Sequence, residues 1–360
     1  MRCCWKRRRA MRADQRAGGA GPWRRVMFAF LLAGLSAPAW AEAPRMGAPL
    51  ACVEGDDCYV RNYVDVDPGP GVADFTCGAL TYDGQTSTEF VIGNPDAAAR
   101  GVAAVATAEG IVRSVRDGMS DAGGGEAGRI VGRSCGNMVR LDHGDGWESV
   151  YCHLRRGSIG VSPGERVDAG HRLGTAGRSG VADATQMNLQ VLQNGRVIDP
   201  FVGEPTGQPC GSPVLALWTE TAAAELAYRA SRLVGSGFAL DPPTPESLEV
   251  GGGITLGPLD TQAPAIIFFV DLYGLRAGDR QVIRVLRVSG DEEEILVDER
   301  DPPADKARSR WLRFAGKQRP ESGWPPGTYR GEFYLLRDRD GEPATVLLAR
   351  QEIEVVESTP

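Results

Sequence analysis

Apolar and polar positions alternate along most of the chain, and this alternation predicts its architecture. Between Gly136 and Phe201, runs such as Met138-Val139-Arg140-Leu141 and Ser149-Val150-Tyr151-Cys152-His153-Leu154 have the period of two expected of half-buried strands. Turn formers separate them: Gly144-Asp145-Gly146, Pro163-Gly164, Ala169-Gly170 and Asn194-Gly195. Aspartate-glycine and asparagine-glycine pairs suit tight hairpins, because both residues tolerate positive φ. Strands are expected at 86–92 and 110–115, with a helical turn at 97–100 inside an insertion. A second alternating block occupies 248–358, with strands expected at 265–272, 281–288, 294–298, 311–314, 327–336 and 344–356. Between the blocks, 218–234 has helix-like composition, and Asp241-Pro242-Pro243-Thr244-Pro245 marks a boundary, since proline lacks a ladder donor. The expected class is all-β: an antiparallel domain, a short helical segment, then an immunoglobulin-like β-sandwich.

Composition changes this picture mainly at the N-terminus. Arginines crowd residues 1–25, the apolar run Val26-Met27-Phe28-Ala29-Phe30-Leu31-Leu32-Ala33-Gly34-Leu35 follows, and Ala39-Trp40-Ala41 fits small-x-small cleavage. Residues 1–41 therefore read as a signal peptide, too short in its apolar part to span a bilayer, and no membrane span is expected once it is cleaved. The expected organisation continues with a loop-rich extension at 42–76, a first β-domain at 77–203, a linker with a short helix at 204–247 and the sandwich at 248–358. The whole chain has a formal charge of −7; without nine Lys/Arg and one Asp of residues 1–41, the remainder has 31 basic and 46 acidic residues, or −15. That balance excludes nucleic acid as a partner, because binding there depends on neutralising phosphates. Gly123-Gly124-Gly125 reads as a surface loop, since no helix and lysine follow to make a phosphate cradle.

Six cysteines lie beyond the signal: Cys52, Cys58, Cys77, Cys135, Cys152 and Cys210. An even number in an exported chain, with no C-x-x-C pair, favours disulfides over a cysteine zinc site. Cys135 and Cys152 could face each other across the hairpin at Gly144-Asp145-Gly146, and Cys52 and Cys58 could close a small loop. The periplasm or the cell exterior is the expected location.

The ordered succession Gly-Asn-x-Val-x-Leu-Asp-His-Gly-x-Gly-Trp, Tyr-Cys-His-Leu, Pro-Gly-x-x-Val-x-Ala-Gly, Leu-Gly-x-x-Gly-x-Ser-Gly and Asn-Gly-x-x-x-Asp-Pro-Phe resembles the lysostaphin/LytM family of peptidoglycan zinc endopeptidases. The resemblance implies that residues 77–203 adopt the LytM-type fold. In that family an H-x-x-x-D segment and the second His of an H-x-H strand hold zinc. The first His of that strand and the His of Tyr-x-His-Leu act on the attacking water.

Carried onto this sequence, the first segment becomes Gln85-Thr86-Ser87-Thr88-Glu89 and the strand becomes Gln186-Met187-Asn188. Only His153 is retained; Gln186 replaces the other water-directing histidine, and Gln85, Glu89 and Asn188 stand at the ligand positions. His143 and His171 lie in turns, away from ligand positions. Zinc prefers imidazole, thiolate and carboxylate, and carboxamides are weak ligands. No cofactor is therefore expected, and without a metal no water is acidified. Gln186, Asn188 and Gln190 would form an amide ladder on one strand face, with Tyr151 also lining the cleft. That ladder is either a self-satisfied polar patch or a surface that holds peptide or glycan without cutting it. The expected function is an exported, catalytically inactive LytM-type homologue that binds peptidoglycan or a cell-wall hydrolase and regulates cell-wall hydrolysis. The alternative is an active zinc metalloendopeptidase cleaving cross-bridge peptides with Glu89 among its ligands.

Overall fold

The computed structural model describes residues 43–357, apart from 56, 94, 123–131, 212–215, 250–253 and 340. The signal peptide expected at 1–41 and the surface loop expected at Gly123-Gly124-Gly125 lie outside the described residues. Strands dominate, and no described helix exceeds six residues.

In the first half the strands are β1 (Cys58–Asn62), β2 (Thr88–Ile92), β3 (Ala103–Val105), β4 (Gly110–Arg116), β5 (Asn137–Gly144), β6 (Trp147–Leu154), β7 (Arg166–Val167), β8 (Arg172–Thr175), β9 (Gln186–Gln193), β10 (Arg196–Asp199) and β11 (Glu204–Pro205). The main sheet runs β1-β2-β9-β6-β5-β4-β7, its pairings antiparallel, with β10 and β11 continuing from β9. β3 and β8 form a separate ribbon. The β5–β6 and β9–β10 hairpins turn on Asp145-Gly146 and Asn194-Gly195, all four at positive φ (51°, 80°, 51° and 77°), as a type I′ turn requires. The two turns dock on each other, the Asn194 N–H donating to the Gly146 carbonyl at 2.8 Å. A Cβ on Gly146 would stand 2.1 Å from Asn194 Oδ1. One face of the sheet buries Phe90, Val139, Leu141, Tyr151, Met187, Leu189 and Val191 in the first core.

The segment at 42–76 does more than cover this domain. Its β1 is a full member of the sheet, and Met46, Leu50, Val60 and Tyr63 enter the core. Three disulfides staple the region: Cys52–Cys58, Cys77–Cys210 and Cys135–Cys152.

The second half comprises β12 (Arg232–Ala239), β13 (Leu259–Asp260), β14 (Ala265–Leu275), β15 (Arg280–Ser289), β16 (Glu292–Arg300), β17 (Arg308–Gln318), β18 (Gly327–Arg339) and β19 (Glu342–Val356). A sheet β12-β14-β17 packs on a sheet β13-β19-β18-β15-β16. Phe268, Val270 and Leu272 of the first meet Ile283, Val285, Tyr329, Phe333 and Ile353 of the second. The helix expected across 218–234 is shorter, covering only Glu220–Glu225 behind an N-cap from Thr219. Residues 232–239 are instead β12, paired with β14, because Leu233 and Phe238 gain burial in the sandwich core and Ala239 in a second cluster with Ala265, Ile267 and Phe269. Among the described residues the two halves form one unit and meet directly. Tyr59 and Val91 of the first sheet pack on Tyr273 of β14, with the two tyrosine rings 5.6 Å apart.

Candidate functional site

On β9, residues two apart point to the same side. Met187, Leu189 and Val191 go to the core, so Gln186, Asn188 and Gln190 face the other way, into a cleft of about 810 Å³. Pairing of Glu89 with Asn188 and of Cys152 with Asn188 brings β2 and β6 alongside. Gln85, Glu89, His153, Gln186, Asn188 and Gln190 all line this cleft. Tyr151 does not. Its ring is fully buried on the core face, and its hydroxyl accepts from the Thr107 N–H at 2.8 Å. Strand alternation places it opposite Cys152, which corrects the expectation that it lines the cleft.

Two bulges build the site. On β6, Tyr151 pairs with Val139 and Leu154 with Asn137, so Cys152 and His153 together oppose Met138. Strict alternation would send His153 to Tyr151's side; its φ of 62° breaks the pattern, and the ring lines the cleft. The His153 N–H donates to the Cys135 carbonyl, and ring Nδ1 donates to the Ser179 carbonyl at 2.8 Å, since a carbonyl can only accept. Burial pushes the imidazole below its ordinary pKa, which keeps it neutral.

The second bulge lies in β1. Val60 pairs with Phe90 and Asn62 with Glu89, leaving Arg61 as the extra residue. Both Arg61 and Asn62 therefore reach Glu89. Arg61 Nη2 makes an ion pair with Glu89 Oε1, meets Asp183 Oδ1 at 2.6 Å and donates to Gln186 Oε1 at 3.1 Å. Asn62 Nδ2 donates to Glu89 Oε2 at 2.5 Å. Arg61 and Glu89 are 7% and 3% exposed, so this is a charge pair in the interior. Burial opposes the guanidinium charge, but the Glu89 carboxylate more than offsets it and holds Arg61 protonated. Burial likewise opposes the charge on Asp183, and the Arg61 hydrogen bond reverses that, keeping its carboxyl below the usual range.

The remaining amides are tied together. Gln186 Nε2 donates to Asn188 Oδ1 at 3.2 Å, Asn188 Nδ2 to Ser87 Oγ at 3.3 Å, and Gln190 Nε2 to Thr86 Oγ1 at 2.9 Å. Gln85 is 4% exposed, and its Nε2 has no acceptor among the described residues. The far wall comes from the sandwich: Tyr273 of β14, and Ser309 and Arg310 of β17, with Arg310 held by Asp271 at 2.9 Å.

Zinc, the metal that the LytM resemblance implies, does not fit these residues. The guanidinium of Arg61 already neutralises Glu89, the one strong donor at the three ligand positions. Like charges about 4 Å apart repel by roughly 4 kcal/mol per pair of unit charges near a protein surface, and a dication doubles this. Among the described residues, no group of three His, Cys, Asp or Glu side chains is placed to hold a metal ion. Arg61 was not visible from local sequence; its one signal is a lone arginine between the apolar pairs Tyr59-Val60 and Tyr63-Val64.

Residues 94–200 match the profile of Peptidase family M23. Solved structures with similarity include a mutant catalytic domain of the prophage-encoded M23 protein EnpA of Enterococcus faecalis, at 19% identity over 44% of this chain and 94% of that one, with a TM-score of 0.28. The catalytic domain of lysostaphin from Staphylococcus simulans is 22% identical over 39% of this chain and 85% of that one, with a TM-score of 0.25. A crystal structure of the SpoIIIAH and SpoIIQ complex matches at 14% identity over 43% and 97% of the two chains, with a TM-score of 0.31. Gln85 and Glu89 precede the matched range, and their place in the cleft follows from the pairing of β2 with β9. Residues 94–200 are thus an M23 domain of the LytM type, set in a longer β-rich chain.

Proposed function

We propose that this protein is exported and that its M23 domain is non-catalytic, binding peptidoglycan or a cell-wall hydrolase and thereby regulating cell-wall hydrolysis. The observation that carries this reading is Arg61: a built-in cation bonded to Glu89, Asp183 and Gln186 in the cleft where the family places its ion. His153, neutral and oriented by the Ser179 carbonyl through Nδ1, has no carboxylate bonded to it among the described residues to make it a stronger base. The three disulfides suit an oxidising compartment, and no described helix is long and apolar enough to cross a membrane.

The test uses the purified protein, with disulfides intact, on isolated sacculi with and without added zinc. Co-sedimentation with sacculi, or a changed rate of muropeptide release by an added amidase, together with no release by the protein alone, supports the reading. Zinc-dependent release of cross-bridge fragments by the protein alone, lost in Glu89→Ala, would establish the endopeptidase instead.

A further inference from the structure

On one side of the sandwich, two long strand edges have no partner among the described residues. β16 pairs only with β15, and β17 only with β14. Such edges present a row of backbone donors and acceptors to any strand that fits. The two edges are neighbours, because Arg313 of β17 reaches Glu299 of β16 at 2.6 Å and Asp301, just beyond it, at 2.8 Å. They also run in opposite directions. β17 is antiparallel to β14 and β16 to β15, and the tight turn at 276–279 reverses the chain between β14 and β15.

Their charges are opposite. Five of the nine residues of β16 are acidic and one is basic, whereas β17 has four basic residues and no acidic one. Like edges therefore repel and unlike edges attract, since charges directly opposed across a strand pair interact. Part of this charge is used within the molecule: Asp271 holds Arg310, and Arg284 holds Asp298. The remainder collects at one end of the sandwich. Among the described residues neither Lys317 nor Glu292 makes an ion pair, and Glu294, 3.8 Å from Arg287, has a side chain 64% exposed. Two large apolar side chains also stand out on these strands, Ile295 at 58% and Phe314 at 37% exposure.

We propose that two copies of this chain pair along these edges, β16 of each against β17 of the other, about a twofold axis parallel to the strands. Rotation about that axis exchanges the two sheets and preserves strand direction, so both new pairings are antiparallel and the assembly closes as a dimer. The three-stranded sheet of each copy then continues into the five-stranded sheet of the other. Register follows from the symmetry. A pure rotation moves nothing along its axis, so Arg313, level with Glu299 in its own copy, is also level with the partner's Glu299. Leu296 is the extra residue of a bulge in β16, so four steps farther along β17 bring Lys317 opposite the partner's Glu294. Ile295 and Phe314 are covered by the same pairing. Ser309 and Arg310, toward the other end of β17, belong to the far wall of the cleft. The dimer thus joins two clefts, and it forms whatever either of them binds.

Sedimentation velocity of the purified protein, with disulfides intact and across the micromolar range, tests this and should show a monomer–dimer equilibrium. Lys317→Glu should weaken dimerisation about tenfold or more, because the twofold repeats the lost contact. Combining Lys317→Glu with Glu294→Lys in one chain should restore it, which also shows that the altered edges still fold. A protein that stays monomeric throughout overturns the proposal. A dimer unchanged by Lys317→Glu, or a double variant no better than the single, refutes the pairing of β16 with β17. Assemblies that grow beyond two copies refute the twofold.

Discussion

Replacing Arg61 by methionine keeps most of the side-chain volume while deleting the charge, and the structure sets the size of the effect. Glu89 would remain 3% exposed with Asn62 Nδ2, at 2.5 Å, as its remaining donor. Breaking a buried ion pair from one side costs about 3–5 kcal/mol, because the surviving charge is left without its counter-ion. Asp183 adds little to that figure, since its side chain is 65% exposed and water can replace the arginine. Arg61→Met should therefore lower stability by about 3–5 kcal/mol at neutral pH. The deficit should shrink in acid, where an unpaired buried carboxylate takes up a proton. Arg61→Met combined with Glu89→Gln removes both charges and should recover at least half of the loss. Urea unfolding followed by far-ultraviolet circular dichroism, with disulfides intact, measures all three variants. A cost below about 1 kcal/mol for the single variant, or a double variant no more stable than the single, would refute the assignment of Arg61 as the interior counter-ion.

The same geometry predicts mutual exclusion with zinc. Gln85→His with Asn188→His restores two imidazoles beside Glu89, and metal analysis should find stoichiometric zinc only when Arg61→Ala is added; full loading with Arg61 in place would contradict this. Asp199 is 1% exposed, with Oδ1 accepting from the Phe201 N–H at 2.8 Å and Oδ2 without a partner among the described residues, and burial pushes its pKa up to about 7. A carboxyl raised in the folded state adds stability that is fully present below its unfolded pKa near 4 and lost as pH rises through 7. Asp199→Asn should therefore raise the melting temperature at pH 8 and have little effect at pH 4; a loss of stability at pH 8 would count against it. Cys77–Cys210 closes a loop with a sequence separation of 133 residues. In the chain-entropy picture, replacing both by serine costs about 5 kcal/mol, against about 3 for the 17-residue separation of Cys135–Cys152. Equal losses in denaturant melts would argue against the entropic account.

Local chemistry made much of this molecule legible before its structure. The β5–β6 hairpin announces itself through alternation and an aspartate-glycine turn, and Cys135 and Cys152 follow from its geometry. The missing imidazoles at Gln85, Gln186 and Asn188 are visible in the sequence itself. What could not be read depends on contacts between distant residues. Arg61 lies 28 residues from Glu89 and 125 from Gln186, and its inward orientation depends on one bulge that no periodicity rule detects. β12 was hidden by two glycines and a preceding alanine-rich run, so composition favoured helix where pairing with β14 prevailed. Tyr151 was misplaced because a motif gives neighbours in sequence, whereas alternation separates them onto opposite faces.

The cleft wall contributed by Tyr273 and Arg310 has a practical consequence for anyone isolating the family-matched segment. A fragment trimmed to residues 94–200 would lose β1 and β2, leaving the β9 edge bare and open to pairing with another chain. It would also lose Arg61, Glu89 and the opposing rim. Such a truncate would be a floor without walls, and its failure to bind would say nothing about the intact protein.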